Sequence, residues 1–426
     1  MLNILVYAYQ LSPYYGSECG LAWDYVVNMS KYNRLTVLYG SCEEYHQMGN
    51  TEKLEQYIKQ HPIKNVTLVP VKPSFDFVEQ DYTILGISRF YKQYRRYQDD
   101  VFEVAKRLID REHYDLIHFL GPIGYREPGL LWKFGIPYLW GPVGGMVFTD
   151  IKLLKGAQDT RGGLQLLLKK IANRIQMKTN NNVRDAMNRV DLVIGCTSQT
   201  TKIIKSEYNL PDDHLDYLPQ NCIKDVYPYN ENKLKSEKIH IVWIGRIDFG
   251  KSLVTTIKAL IGASYREKFV LHVVGDGHLM EKNKKLVDES GLKDNVIFHG
   301  KVDRENVLRI IDDCHLHIIT SLLDVNPTIF WETMSMCVPT LSPANNGLED
   351  IINENIGFLV PIKSYDDMIT QLSLKLDQIA QNPDCLHTLA RNIENIREKY
   401  TWNHRVGVIQ GYYEKAIENY NRKRYE

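Results

Sequence analysis

The sequence predicts an α/β protein with two domains, each built on a parallel sheet covered by helices. Short apolar runs that are typical of buried strands alternate with segments of helical apolar spacing, and this alternation is typical of parallel sheets. Glycine-rich loops follow several strand-like runs, as in turns that join a strand to a helix. The 426 residues exceed one typical core and suit two domains of about 200 residues each.

Charge and cysteine content exclude several classes of protein. Lys+Arg and Asp+Glu both number 52, so no overall charge favours nucleic acid as a partner. The seven cysteines are scattered without a CxxC, which is neither a disulfide framework nor a zinc site and favours a reducing cytoplasm. The first strand-like run begins at once, without a basic segment, and no apolar run approaches a membrane span. We therefore expect a cytoplasmic protein without a signal peptide.

Two candidate site residues and one further glycine-rich loop lie at the ends of strand-like runs in the first half. The loop after residues 2–7 contains Gly16. The strand-like run 114–120 contains His118 near its end, and a glycine- and proline-rich loop occupies 140–145. A lone histidine at a strand end is more often structural than functional, and glycines often only turn the chain. For both residues, the structural and functional interpretations therefore remain open.

A basic loop follows the apolar run 239–244, before a helical pattern that starts at residue 253. It contains Gly245, Arg246 and Lys251. In open α/β sheets, loops of this kind lie at the carboxyl edge, where ligands bind. Two cations there would neutralise the charge that grows on a departing diphosphate, whereas the alternative is an ordinary solvated loop.

Two acids flank the next predicted helix start. The strand-like run 315–320 leads to Asp324, and Glu332 opens the following helical pattern, with Thr328 between the two acids. Backbone N–H groups at a helix start favour a phosphate, and ionised carboxylates accept hydrogen bonds from sugar hydroxyls. A phosphate flanked by sugars indicates a nucleotide sugar, and we count Thr328 among the residues that bind it.

These two segments resemble retaining glycosyltransferases with the GT-B fold, of the family 4 type. Asp324 and Glu332 match the acid-x7-acid signature of that family, and Arg246 and Lys251 match the spacing of its G-R-x4-K-G element. The resemblance implies that Asp324 contacts the donor sugar, that Glu332 holds the nucleotide ribose, and that both cations stabilise the leaving diphosphate. Gly275 lies in a segment similar to the family's G-D-G-P, where its main role is a tight turn that also lets a nucleotide approach.

The first half resembles the Gly-Ser-Glu-x-Gly branch of the same family. The loop with Gly16 is similar to one that faces the donor phosphates and the acceptor, so Gly16 is a candidate for close approach to substrate. The family often has H-x-H at the strand that ends here with His118, and Leu120 replaces the second histidine. The 140–145 loop is expected to line the acceptor side of the binding site.

The resemblance implies a GT-B fold, with two Rossmann-like domains facing each other across a cleft. We expect an acceptor-side domain over 1–220 and a donor domain over 221–402, with a helix over 403–426 returning to the first domain. The implied reaction moves a sugar from a nucleotide diphosphate sugar to a glycan or lipid-linked acceptor, in surface polysaccharide assembly. No Asp-x-Asp occurs, so we expect neither a metal nor any cofactor besides the donor.

Two other functions remain open on the sequence alone. One is an epimerase or hydrolase of nucleotide sugars on the same fold. The other is a catalytically silent subunit that binds donor and scaffolds a partner transferase. The silent subunit stays open because four positions depart from the family pattern: Asp324 replaces Glu, Ser252 and Cys337 replace Gly, and Leu120 replaces His.

Two basic, amphipathic stretches could contact a membrane surface. Residues 164–178 place leucines and isoleucines on one helical face beside four basic residues, and 87–97 mix basic and aromatic side chains. The alternative for both is a helix packed on its own domain. Contact would place the protein peripherally on the inner face of the membrane.

Overall fold

The computed structural model describes residues 1–14, 17–40, 51–76, 84–147, 153, 160–345 and 347–425. The chain forms two compact units. The first contains Met1–Val147, Asn173–Gln220 and Val406–Glu426. The second contains Asn221–Arg405, and the described residues of 148–172 group with it.

The strands of the described residues are short and mostly buried. In chain order they are β1 (Asn3–Ala8), β2 (Arg34–Gly40), β3 (Val66–Val71), β4 (Leu116–Gly121), β5 (Tyr138–Val143), β6 (Leu192–Gly195), β7 (Leu215–Tyr217), β8 (Ile239–Ile244), β9 (Phe269–Val274), β10 (Val296–Gly300), β11 (Leu316–Ile318), β12 (Thr340–Pro343) and β13 (Gly357–Val360).

The helices alternate with these strands. They are α1 (Ser17–Met29), α2 (Thr51–Gln60), α3 (Ile84–Ile109), α4 (Thr160–Thr179), α5 (Asn181–Arg189), α6 (Ser198–Tyr208), α7 (Leu253–Gly262), α8 (Met280–Glu289), α9 (Arg304–Asp312), α10 (Thr328–Ser335), α11 (Tyr365–Gln381), α12 (Asp384–Ile396) and α13 (Trp402–Tyr425).

The first unit contains a seven-stranded parallel sheet in the order β3-β2-β1-β4-β5-β6-β7. The strand order reverses direction between β1 and β4, which pair directly. Such a reversal opens a crevice at the carboxyl ends of the two strands, and open α/β sheets bind ligands there.

The second unit contains a six-stranded parallel sheet in the order β10-β9-β8-β11-β12-β13. Its order reverses between β8 and β11, the two strands that precede the loops with the predicted cations and acids. One face of this sheet packs against α7 and α11 through a large apolar core that includes Trp243, Leu271 and Leu372. The prediction of two parallel α/β units is confirmed.

The opposite face of the second sheet carries a row of four histidines. His240 Nδ1 lies 2.8 Å from His272 Nε2, and His272 Nδ1 lies 3.0 Å from His299 Nε2. His315 Nδ1 accepts a hydrogen bond from the backbone N–H of His240 (3.0 Å). Burial lowers the pKa of all four rings, and that of His272 falls to about 4 because the rings of His240 and His299 also oppose its protonation.

No helix among the described residues is long and apolar enough to cross a membrane. The predicted amphipathic stretch 164–178 lies within α4. Leu168, Ile171 and Ile175 are about half exposed on this helix, at 48%, 49% and 56%. The second stretch, 87–97, lies within α3 and differs, since its Tyr94 and Tyr97 are buried in the first unit.

Candidate active site

The loop between β8 and α7 holds the two predicted cations, and Asp248 organises it. Its carboxylate accepts a hydrogen bond from Arg246 Nε through Oδ2 and from the backbone N–H of Lys251 through Oδ1 (2.9 Å). Arg246 is 78% exposed, so most of its guanidinium remains open to solvent. Asp248 was not among the predicted site residues, although its position between the two cations could have indicated this role.

Lys251 and Asp324, predicted from separate motifs, meet in an ion pair. Lys251 Nζ donates to Asp324 Oδ2. The pair joins the loop after β8 to the loop after β11, and therefore spans the point where the strand order reverses. The side chains are 30% and 27% exposed, so solvent and a ligand can reach both.

The loop after β11 is fastened to the basic loop by further hydrogen bonds. Leu322 N donates to Gly250 O (2.8 Å), and Ser321 Oγ donates to the same carbonyl (3.0 Å). Ser321 Oγ in turn accepts from the backbone N–H of Asp324 (3.2 Å). Because the backbone of both loops is fixed, Lys251 and Asp324 are positioned before any ligand arrives.

Two glycines, Gly275 and Gly277, let loops of the site pack backbone against backbone. A Cβ on Gly275 would lie 1.9 Å from the carbonyl oxygen of Gly245, and one on Gly277 would lie 2.4 Å from that of Ile247. Gly275 also has φ +133°, which L side chains rarely adopt. A Cβ on Gly245 would lie 3.3 Å from Lys251 Cγ. Gly275 and Gly277 thus shape the loop that carries Arg246.

Glu332 lies in the second turn of α10 and already has a partner. Its Oε1 accepts a hydrogen bond from Nη1 of Arg304 (2.7 Å), at the start of α9. Glu332 is 20% exposed and Arg304 is 58% exposed. No local pattern indicated this pairing, because Arg304 lies 28 positions away in an ordinary charged helix.

The α10 helix begins at Thr328, earlier than Glu332, and Pro327 occupies its N-cap without a side-chain hydrogen bond. The backbone N–H of Phe330 bonds to Pro327 O (3.1 Å). Thr328 is exposed, at the helix end where backbone N–H groups favour an anion. The predicted sequence of strand, loop and helix start is therefore present around Asp324.

Two departures from the family pattern lie at left-handed backbone positions. Ser252 has φ 50° and Cys337 has φ 57°. Glycine adopts this conformation without strain, whereas other L residues incur a cost of roughly 1–2 kcal/mol. Ser252 occupies the N-cap of α7, but its side chain does not cap the helix. It bonds instead with Thr255 Oγ1 (2.8 Å).

His118 lies in β4 of the first unit and is buried, with 3% exposure. Its Nε2 lies 2.8 Å from Gly141 O, while Nδ1 lies 2.7 Å from Tyr25 Oη and 3.2 Å from Tyr413 Oη. A carbonyl only accepts, so Nε2 carries the proton and Nδ1 accepts from the tyrosines. Burial lowers the pKa of His118 to about 4. This geometry favours a structural role for His118.

Gly16 lies outside the described residues. The neighbouring Glu18, in the first turn of α1, has a raised pKa because it is buried, and its hydrogen bond with the backbone of Ile123 opposes the shift. Among the residues that the structure describes, no group of three or more His, Cys, Asp or Glu could hold a metal ion.

Comparisons with known proteins agree with this arrangement. Residues 229–399 match the family model described as "Glycosyl transferases group 1", and this range contains Arg246, Lys251, Asp324 and Glu332. No sequence among the curated proteins matches the chain.

Solved structures resemble the whole chain at low sequence identity. The Anabaena protein Alr3699/HepE in complex with UDP is 15% identical, with TM-score 0.59, over 96% of this chain and 99% of that one. The lipopolysaccharide outer core galactosyltransferase WaaB is 15% identical, with TM-score 0.59, over 99% and 98%. Sucrose-phosphate synthase from Thermosynechococcus elongatus is 15% identical, with TM-score 0.62, over 98% and 100%.

The fold is therefore the two-domain GT-B fold, as predicted. Together with the family match over most of the second unit, it supports a glycosyltransferase that uses a nucleotide sugar.

Proposed function

We propose that the protein is a retaining, metal-independent glycosyltransferase that moves a sugar from a nucleoside diphosphate sugar to a glycan or lipid-linked acceptor. The observation that carries this proposal is the Lys251–Asp324 pair at the strand-order reversal of the second sheet. A cation and a carboxylate that neutralise each other can each turn to a ligand. Lys251 would then bind the diphosphate, and Asp324 would accept hydrogen bonds from the donor sugar.

Arg246 and Lys251 would stabilise the leaving group. As the bond from the anomeric carbon to the diphosphate breaks, negative charge grows on the leaving oxygens, and preorganised cations stabilise that state more than the ground state. The acceptor oxygen bonds to the anomeric carbon on the face that the diphosphate leaves, which retains the configuration. The acceptor proton passes to an oxygen of the departing diphosphate, so no carboxylate nucleophile is needed.

Glu332 would bind the nucleotide ribose with the carboxylate oxygen that Arg304 does not use. Arg304 donates to Oε1, and among the described residues no hydrogen bond reaches Oε2. Two ribose hydroxyls can donate to a carboxylate held in this way.

Uridine diphosphate sugars are the first donors to test. Structures of HepE contain UDP, UDP with glucose, and UDP-glucose. Thermal stabilisation by UDP-, GDP- and ADP-sugars should identify the donor, because a ligand that binds only the folded state raises its melting temperature. Nuclear magnetic resonance of the product then gives the configuration at the anomeric carbon, and inversion would contradict a retaining enzyme.

Metal independence rests on the absence of Asp-x-Asp and on the cations placed for the same task. Transfer should therefore continue in EDTA. Loss of transfer on chelation, with recovery on adding manganese or magnesium, would contradict this part of the proposal. Consumption of donor without any acceptor would instead favour an epimerase or hydrolase.

The acceptor side of the proposal includes a membrane contact through α4. Leu168, Ile171 and Ile175 are exposed on this helix, and Lys170 and Arg174 lie among them in sequence. Apolar side chains that enter the interfacial layer and basic residues that meet anionic headgroups are typical of peripheral binding. This contact would suit a lipid-linked acceptor in surface polysaccharide assembly.

A further inference from the structure

The first unit contains a polar cavity of about 320 Å³ that the donor chemistry does not use. Its walls come from α3, from the loop after β4, from the end of α4 and from the start of α5. β4 borders the strand-order reversal of the first sheet, so the loop after it lies at the edge where such sheets bind ligands. The volume is at the lower end of small-ligand pockets.

Arg126 is the central side chain of this cavity, and several contacts fix it. Its Nε donates to Gln176 Oε1 (2.7 Å), and Asn180 Nδ2 donates to its backbone carbonyl (3.0 Å). The guanidinium lies 5.1 Å from the ring centre of Tyr125 and 6.0 Å from that of Tyr91. A guanidinium held in this way loses little rotational freedom when it binds a ligand.

The two terminal nitrogens of Arg126 remain available. Within the part of the chain that the structure describes, no acceptor takes a hydrogen bond from either Nη. A planar fork of N–H groups that no described residue engages matches the two oxygens of a carboxylate or a phosphate.

The cavity also has an excess of positive charge. Arg95, which is 63% exposed, pairs with the buried Glu127 (2.7 Å), so these two charges offset each other. Glu127 keeps a raised pKa because burial outweighs the attraction of Arg95 and Arg126. The charge of Arg126 therefore has no full counterion in the cavity.

Amide side chains complete the lining. Gln176, Asn180 and Asn182 border the cavity, together with the ring of Tyr91. Amides both donate to and accept from hydroxyls, and an aromatic ring can cover the apolar face of a sugar. The lining therefore suits a sugar that carries an anionic group better than a free ion.

We propose that this cavity binds the anionic group of the acceptor, a phosphate or a carboxylate carried on a sugar, with Arg126 as its bidentate partner. The assignment to an acceptor rests on the proposed glycosyltransferase function. The binding of an anion rests on the cavity alone, so experiment can separate the two.

Calorimetric titration of the intact protein with inorganic phosphate, D-glucuronate and D-glucose tests the proposal. Phosphate or D-glucuronate should bind saturably. D-glucose should bind more weakly than whichever of these two anions binds more tightly. Which of the two anions binds more tightly distinguishes a phosphorylated from an acidic sugar. Arg126→Gln should weaken anion binding by roughly 10-fold or more, since it removes a charged bidentate contact. Arg107→Gln, an exposed arginine elsewhere on α3, should change nothing.

A second variant guards against loss of folding. Asn182→Asp adds a negative charge at the cavity and in the first turn of α5, where a carboxylate favours the helix. It should keep the melting temperature and still abolish anion binding. Absence of saturable anion binding by the parent, or equal binding by parent, Arg126→Gln and Asn182→Asp, would overturn the proposal.

Titration with UDP separates this site from the donor site. Arg126→Gln should bind UDP as the parent does, because the donor residues lie in the second unit. Anion binding that depends on Arg126 in a protein that binds no nucleotide would retain the anion site and refute the proposed function. Nucleotide binding without Arg126-dependent anion binding would refute the site and retain the function.

Discussion

The strand-order reversals of the two sheets present opposite chemistry. In the second unit, Lys251 and Asp324 form an ion pair in which the side chains are 30% and 27% exposed. In the first unit, His118 lies on the strand beside the reversal, buried with partners for both ring nitrogens. Sequence motifs predicted site residues at both places. A polar group near a sheet's carboxyl edge can serve a ligand only if it remains accessible and can change its partner.

The largest expected effect is on the rate of transfer by the second unit. Lys251→Ala and Arg246→Ala should each lower kcat by roughly 10²–10³, because each removes a cation aimed at the leaving diphosphate. Both should fold, since neither side chain is buried. Lys301→Ala, an exposed lysine just after β10, is the matched control. Near-normal kcat in both purified variants would refute the role of these cations. The strand-order reversal of the second sheet would then be no more functional than that of the first.

His118→Phe tests the other side of the comparison. The ring of phenylalanine leaves Gly141 O and the tyrosine hydroxyls without a buried partner, so we expect a loss of about 2–4 kcal/mol in unfolding free energy. Transfer per folded molecule should stay near that of the parent. Urea unfolding and active-site titration measure the two quantities, and His113→Phe, with an 86% exposed histidine, is the control. A stable variant with a strongly reduced kcat would make His118 catalytic.

The two acids of the second unit should differ in what they bind. Glu332→Ala should weaken the binding of free UDP by roughly 10-fold, because a carboxylate for two ribose hydroxyls is lost. Asp324→Ala should leave free UDP binding nearly unchanged and lower sugar transfer. Titration of UDP and of the nucleotide sugar against both variants separates the roles. If Glu332→Ala binds UDP as tightly as the parent, Glu332 serves only its pair with Arg304.

The histidine row of the second sheet should make stability depend on pH. The folded-state pKa of each ring lies below its unfolded value of about 6.5, so the unfolded chain binds more protons in acid. The stability that the neutral rings contribute is therefore fully present above pH 6.5, and it is lost as the pH falls toward 4. We expect protonation of His272 to lower the free energy of unfolding by about 1 kcal/mol, a value that already allows for solvent screening of a half-buried ring.

Melting temperatures at pH 7.5 and at pH 5 test the pH dependence that we attribute to the histidine row. His272→Gln keeps hydrogen-bonding capacity without a titrating group, so its melting temperature should fall less between the two pH values. His278→Gln, a histidine in the loop after β9 and outside the row, should keep the dependence of the parent. An equal fall in the parent and His272→Gln would assign the pH dependence to other groups.

The smallest expected change in stability is at α4. Leu168→Asp should leave the melting temperature nearly unchanged, because the side chain is already 48% exposed. It should remove co-sedimentation with anionic vesicles if α4 binds a membrane surface. Leu374→Asp, at a leucine that is 50% exposed on α11, is the matched control. A large fall in melting temperature, or a parent that never binds vesicles, would return α4 to a packing role.

Much of the fold could be predicted from local pattern. Apolar runs located the strands to within a few residues, and β8 was predicted with the bounds that the structure has. The predicted strand at 315–320 is shorter, Leu316–Ile318. Ile319 N still donates to Leu341 O of β12 (3.0 Å), whereas Leu322 N donates to Gly250 O in the loop after β8 (2.8 Å). The roles predicted for Arg246, Lys251, Asp324 and Glu332 stay predictions. The structure does place these residues between a strand and a helix, or in that helix, as the motifs predicted.

The sequence alone determined two parallel α/β units and the loops that carry the charged residues, because strand periodicity and glycine turns are local properties. Only the tertiary structure decided which of those residues have partners. His118 Nδ1 accepts a hydrogen bond from the hydroxyl of Tyr413, 295 positions away, and Glu332 is paired with Arg304 from another helix. Gly275 faces the backbone of Gly245, a neighbour in space that spacing along the chain does not reveal. Partners of this kind depend on distances between elements, which no local pattern encodes.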